Sequence, residues 1–171
     1  MKHTISVLVE NKFGVLARIA GLFSARGYNI DSLAVGPTED AGVSRMTIVS
    51  KGDDKTLEQI KKQLNKLIDV IKVVDFKEGE FVDRELVIVR VSVNAKNRKE
   101  VLEAIDASGA KVANAGSKSI TVEASGDQNS TRALLELLKP FGILEVARTG
   151  RIAMGIEERI LKADGKPEVN E

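Results

Sequence analysis

Hydrophobic and polar positions along the chain alternate between two periods, two and about 3.6, and each change of period predicts a new element. Thr4-Ile5-Ser6-Val7-Leu8-Val9 opens with strict alternation, is rich in β-branched residues and reads as a strand. Glu10-Asn11-Lys12-Phe13-Gly14 is a polar turn. Val15, Leu16, Ile19, Leu22 and Phe23 then recur at spacings of three and four, which predicts a helix with Arg18 off its apolar stripe. Arg26 falls in the last turn, where a cation suits the helix dipole, and Gly27 ends the helix. Residues 28–35 read as a second strand, stopped by Gly36-Pro37-Thr38. Residues 39–42 form a hairpin turn, and residues 43–50 a third strand with Val43, Arg45, Thr47 and Val49 on one face and Ser44, Met46 and Ile48 on the other. Asp53 or Asp54 can cap a second helix, whose apolar positions are Leu57, Ile60, Leu64, Leu67 and Ile68. Residues 70–76 supply a fourth strand.

After a polar connection the same order returns. Residues 86–93 read as a strand, 98–108 as a helix ended by Gly109, 111–115 and 119–124 as strands around Gly116-Ser117, 131–138 as a helix stopped by Pro140, and 143–149 as a last strand. Gly27 and Gly109 end equivalent helices in the two halves, so the chain reads as a topological repeat. The order β-α-β-β-α-β is the ferredoxin-like split arrangement. The expected class is α+β, with two ferredoxin-like domains of antiparallel strands and helices on one face. Residues 3–77 form the first domain, 78–84 a linker and 85–157 the second; 158–171 are a polar tail, its end expected to be disordered.

Composition narrows the function. The chain has 171 residues and carries 26 basic and 25 acidic side chains, a net charge of +1. Residues 1–83 hold 12 of each sign and residues 84–171 hold 14 basic and 13 acidic, so neither half is a basic arm for nucleic acid. There is no cysteine and one histidine, His3. Disulfides, thiolate nucleophiles, Cys/His zinc sites and triads built on an interior histidine are thereby excluded. No apolar run approaches the ~20 residues that span a membrane, and the start Met1-Lys2-His3-Thr4 lacks a signal-peptide core. A cytoplasmic location is expected, with no metal and no conventional catalysis.

Two polar features remain as candidates for a ligand. Asn11-Lys12-Phe13-Gly14-Val15-Leu16 joins a strand to a helix; a glycine there lets a ligand approach the backbone, and first-turn N–H groups with the helix dipole favour a carboxylate. The same residues also suit a plain tight turn. Gly27-Tyr28-Asn29-Ile30-Asp31 leads into a strand that this fold places at a sheet edge, open to pairing with another chain. Asn29 could meet a carboxylate or an ammonium group, with Ile30 and Leu33 as apolar walls, or could be a turn residue. Brought together across an edge-to-edge dimer, the two features suit a small zwitterion with an apolar side chain. Asp53-Asp54 is read as a helix cap rather than a metal pair. Asn129-Ser130-Thr131 matches a glycosylation pattern without a secretion signal beside it, and Lys61-Lys62 and Arg98-Lys99 read as solvated helix faces.

The run Asn11-x-x-Gly14-Val15-Leu16-x-Arg18-Ile19-x-Gly21-Leu22-Phe23-x-x-Arg26-Gly27-Tyr28-Asn29-Ile30-x-Ser32-Leu33 resembles an ACT domain. It is similar, more narrowly, to the small regulatory subunits of acetolactate synthase. Gly36-Pro37-Thr38, Ser44-Arg45-Met46-Thr47-Ile48, the run 57–67 and Glu145-Val146-Ala147-Arg148-Thr149-Gly150 continue the likeness. Ala17 stands where some members carry serine. The resemblance implies a non-catalytic subunit whose partner is a large catalytic subunit using thiamine diphosphate, magnesium and FAD in branched-chain amino-acid synthesis. It implies activation of that partner and feedback inhibition by valine, leucine or isoleucine, valine above all. It also implies a homodimer through the ACT domains. The effector contacts would be Asn11, Gly14, Val15 and Leu16 from one subunit and Asn29 and Ile30 from its neighbour. Two other readings stay open: a free-standing amino-acid sensor of another enzyme, and an enzyme using Glu10 and Asp31 as acid and base.

Overall fold

The computed structural model describes residues 2–156. The described residues divide into two units, the first formed by residues 2–82 together with 151–156, the second by Asp83–Gly150. The first unit contains β1 (Lys2–Glu10), α1 (Val15–Ala25), β2 (Ile30–Pro37), β3 (Val43–Lys51), α2 (Asp54–Leu64) and β4 (Val70–Phe76). Its strands lie in the order β2-β3-β1-β4, all antiparallel neighbours.

Register explains which side chains go inward. Ile5 faces Ile48 and Val7 faces Met46 across β1 and β3, and these residues are almost fully buried with Ile19, Phe23, Ile60 and Leu64 of the two helices. The opposite face of the same strands carries Thr4, Ser6 and Thr47, and these hydroxyl side chains are buried too. Ser6 Oγ is the buried side-chain polar atom without a hydrogen-bond partner among the described residues.

Helix α2 starts where Asp53 accepts from the Thr56 N–H at 2.8 Å, so Asp53 rather than Asp54 is the cap. It ends at Leu64, short of the expected Leu67 and Ile68. Leu67 still packs on the core from the following turn, whereas Ile68 is 91% exposed. At Leu67 the apolar spacing records burial beyond the end of the helix; at Ile68 it does not.

The second unit holds most of β5 (Phe81–Ser92), then α3 (Arg98–Ala107), β6 (Lys111–Ala115), β7 (Ser119–Gly126), α4 (Gln128–Leu138) and β8 (Ile143–Arg148), with a 3-10 turn at Lys139–Phe141. Strand order is β6-β7-β5-β8, the topological copy of the first sheet. Val87, Val89 and Val91 form the centre of its core with Val101, Ile105, Ile120, Val122 and Leu138. Helix α4 begins one turn earlier than its apolar pattern, because Asp127 accepts from the Ser130 N–H at 2.7 Å. Asn129-Ser130-Thr131 is therefore helical first turn, with Thr131 buried.

Two expectations about organisation change. The 78–84 connection is not all linker, since β5 already begins at Phe81, whose ring stacks on Phe76 with centroids 5.3 Å apart. The second unit ends at Gly150 rather than 157, because a further strand, β9 (Ile152–Gly155), is paired with β5 and groups with the first unit. The tail expected at 158–171 lies outside the described residues.

Hydrogen bonding from Thr56 holds the Asp53 carboxyl below its ordinary pKa, and bonding from Ser130 does the same for Asp127. A carboxylate depressed in the folded state stabilises above its unfolded value of about 3.9, and that contribution is lost as pH falls through the folded value. Asp53→Ala and Asp127→Ala are expected to lower Tm at pH 7, with the deficit vanishing in thermal melts taken down into the depressed range. Ser6→Ala removes a buried hydroxyl that has no partner and is expected to raise stability by about 1 kcal/mol in urea denaturation.

Candidate functional site

Gly14 is the N-cap of α1 and has φ +84°, the left-handed region that glycine enters without strain. The turn before it is held from both sides. The Asn11 N–H donates to the Gly42 carbonyl at 2.7 Å, and Asn11 Nδ2 donates to the Ala41 carbonyl at 2.9 Å. The β2–β3 turn is itself set by Asp40, whose Oδ1 accepts from the Gly42 N–H at 2.8 Å. With its NH₂ group committed to Ala41, Asn11 keeps Oδ1 as an acceptor.

The first carbonyl used within α1 is that of Gly14, which accepts from the Arg18 N–H at 3.0 Å. The N–H groups of Leu16 and Ala17 precede that bond and have no partner inside the helix. They are the donors that a carboxylate would meet. Space beside Gly14 is open: a Cβ built there would have the Arg18 guanidinium at 3.8 Å as its nearest neighbour. Arg18 in turn pairs with Asp69 at 3.3 Å, which ties the helix start to the turn before β4. Lys12 lies 2.8 Å from Glu10, and this hydrogen bond raises the Lys12 pKa.

The residues named from sequence separate into groups. Asn11, Gly14 and Leu16 form one accessible cluster, and Leu16 is 45% exposed. Val15 belongs elsewhere: its side chain is 3% exposed in the core and its N–H leans on the Lys12 carbonyl at 3.4 Å. It anchors the turn and offers no apolar wall. Phe13, wholly exposed beside Gly14, is an apolar side chain that sequence reasoning passed over as a turn residue. An aromatic next to the helix-start glycine was the available signal.

Asn29 and Ile30 sit far from that cluster within one chain. Ile30 pairs with Ser50, whereas Glu10, next to Asn11, pairs with Val43. From Val43 to Ser50 is seven residue steps along one strand, about 23 Å at ~3.3 Å per residue. Asn29 Nδ2 donates to Asp31 Oδ1 at 2.8 Å, so Asn29, like Asn11, keeps its Oδ1 as an acceptor. Asp31 also pairs with Lys51 at 3.3 Å and Lys2 at 4.0 Å. Glu10 and Asp31 lie at opposite ends of the sheet, each neutralised by lysine, and cannot serve one substrate within a chain as acid and base. Among the described residues no three His, Cys, Asp or Glu side chains group as a metal site requires, and no helix is long and apolar enough to cross a membrane.

This geometry can be set beside known proteins. Residues 5–72 match the model of the AHAS small subunit-like ACT domain, and residues 84–157 match that of the small subunit of acetolactate synthase. The Mycobacterium bovis acetolactate synthase small subunit is 52% identical over 152 residues, covering 89% of this chain and 90% of that protein. The chain belongs to the acetolactate synthase small-subunit family. The Mycolicibacterium smegmatis small subunit is 51% identical over 152 residues, covering 89% of each chain. A crystal structure of the small subunit from Thermotoga maritima superposes with a TM-score of 0.83 at 36% identity, covering 91% of this chain and 97% of that one. The two ferredoxin-like, ACT-type units are therefore the architecture of this small-subunit family.

Gly14→Ala is expected to destabilise by about 1–2 kcal/mol in urea denaturation, since the space is open and the positive φ alone opposes a Cβ. Gly14→Asn, which tolerates the left-handed region better, is expected to cost less.

Proposed function

We propose that the chain is a regulatory subunit that activates the large catalytic subunit of acetolactate synthase and makes it sensitive to a branched-chain amino acid, valine first. The thiamine diphosphate, magnesium and FAD of the reaction belong, in this reading, to the catalytic partner. The chain's own contribution is binding and allostery, in the cytoplasm.

The observation that carries the reading is the separation of two matched half-sites. One end of the first unit's sheet offers the free first-turn amides of α1 and the Asn11 Oδ1; the other end offers the Asn29 Oδ1. About 23 Å apart in one chain, they meet in a homodimer that pairs β2 with a second β2 in antiparallel sense. Such pairing brings the Ile30 end of one strand to the Pro37 end of the other, beside the second copy's β3 start and Asn11. The edge is suited to it: proline occurs only at its end, and Val35 is 45% exposed. Leu16, Phe13 and Val35 are exposed apolar residues that a branched side chain or the second copy would cover. Amides receive the carboxylate, and two asparagine oxygens receive the ammonium group. A ligand held between copies can bind one arrangement of the complex better than another, which is what feedback inhibition requires.

Calorimetric titration of the chain with valine, leucine and isoleucine tests the effector. Binding by none of them refutes it. Gly14→Asp, whose carboxylate would occupy the anion position, is expected to abolish binding, as is Asn29→Ala. A mixed dimer of these two variants has one intact site and one doubly altered site. It is expected to recover about half the ligand stoichiometry, because a site between copies is rebuilt by exchange. Equal loss in the mixture would place both residues in a site within one chain. Reconstitution with the large subunit is expected to raise acetolactate formation, and acetolactate made by this chain alone would contradict the reading.

A further inference from the structure

Residues 151–155 cross the face of the first unit's sheet that its helices leave open. Their exposure alternates: Ala153 is 5% exposed, whereas Ile152 is 57% and Met154 63% exposed. The strand thus lies flat, with every second residue turned to the sheet. The contacts step across all four strands. The Arg151 N–H donates to Ser32 Oγ on β2 at 3.0 Å, and its guanidinium reaches Thr4 Oγ1 on β1, also at 3.0 Å. The Ala153 N–H donates to Thr47 Oγ1 on β3 at 3.3 Å. Gly155 lies so close to β4 that a Cβ there would touch the Phe76 ring at 3.4 Å, and the Ile156 N–H donates to the Glu80 carbonyl at 3.0 Å.

These bonds account for the hydroxyls of Thr4, Ser32 and Thr47 on that face, while Ser6 Oγ stays without a partner among the described residues. A sheet face covered by apolar packing would carry Val or Leu at positions 4, 32 and 47. Hydroxyls suit this face because β9, itself paired with β5, turns the Arg151 and Ala153 N–H groups toward it. Such bonds are directional, and their strength falls steeply with misalignment. A shift between strands would therefore misalign these bonds sooner than it would disturb apolar packing. Ser32 is two residues from Ile30 on β2, the strand that begins at the Asn29 half-site. On its other side Arg151 follows Gly150, whose φ of +81° is open to glycine, and Gly150 closes the second unit after β8.

Resting on the effector reading above, we propose that residues 151–155 are a regulatory strap. Ligand bound beside β2 alters the strap's seat on Ser32, Thr4 and Thr47, and the chain through Gly150 carries that change to the second unit. The strap is a positioning element and does not touch the ligand. Its two states differ in hydroxyl pairing and need no repacking of the apolar core.

Two full-chain variants test it: Ala153→Glu, which wedges a charged side chain under the strap, and Thr47→Val, which removes one acceptor while keeping its shape. Both are expected to bind valine within about threefold of the parent and to activate the large subunit as the parent does. The valine concentration for half-inhibition is expected to rise about tenfold, within the range of ordinary allosteric coupling. Hydrogen exchange of the parent is expected to show the Arg151 and Ala153 amides changing protection on addition of valine. Inhibition curves for Thr47→Val and Ala153→Glu that overlay the parent's, or amides at 151 and 153 indifferent to saturating valine, overturn the strap. Failure of the parent to bind valine instead overturns the effector reading beneath it.

Discussion

Strand β3 lies between β2 and β1, pairing Val43 with Glu10 at one end and Ser50 with Ile30 at the other. That register governs the first unit. It sends Ile5, Val7, Met46 and Ile48 to the helices and Thr4, Ser6 and Thr47 to the opposite face. It also holds the Asn11 and Asn29 ends about 23 Å apart, because a strand cannot be shortened without breaking its ladder. A one-residue slip would exchange the two faces, burying hydroxyls against the helices and aiming aliphatic side chains at β9.

The two asparagines show how such a frame turns ordinary turn residues into a binding group. Each spends its NH₂ on a neighbour, Asn11 on the Ala41 carbonyl and Asn29 on Asp31, and each keeps one oxygen. Alone, either is a satisfied polar side chain. In the proposed dimer they would combine across two copies with the amides of α1 to complement both ends of a zwitterion. Lysines pair with Asp31 and Glu10, so neither acidic group is left uncompensated beside the two asparagines.

Much of this could be read from the residues. Spacing gave α1 and its Gly27 stop, the face alternation of β3 and the repeat of one topology, because each follows from local chemistry. Misses occurred where burial and hydrogen bonding part company. Leu67 continues the apolar period of α2 yet lies outside the helix, and polar residues 128–130 belong to α4 because Asp127 caps it. Val15 fits the site motif by position, but its side chain fills the core. The short strand β9 carries apolar residues on both faces and no turn chemistry of its own, so no pattern announced it.

The order of elements, the two-unit plan, the positive-φ glycine at a helix start and family membership were written in the sequence, since periodicity, caps and motifs are properties of neighbouring residues. Only the tertiary structure could decide that residues 151–155 return to the first sheet, that Thr4, Ser32 and Thr47 exist to receive them, and that Asn11 and Asn29 lie at opposite ends of one sheet. Those facts depend on contacts between residues 106, 119 and 147 positions apart along the strands and the strap, and on a register that no local pattern encodes.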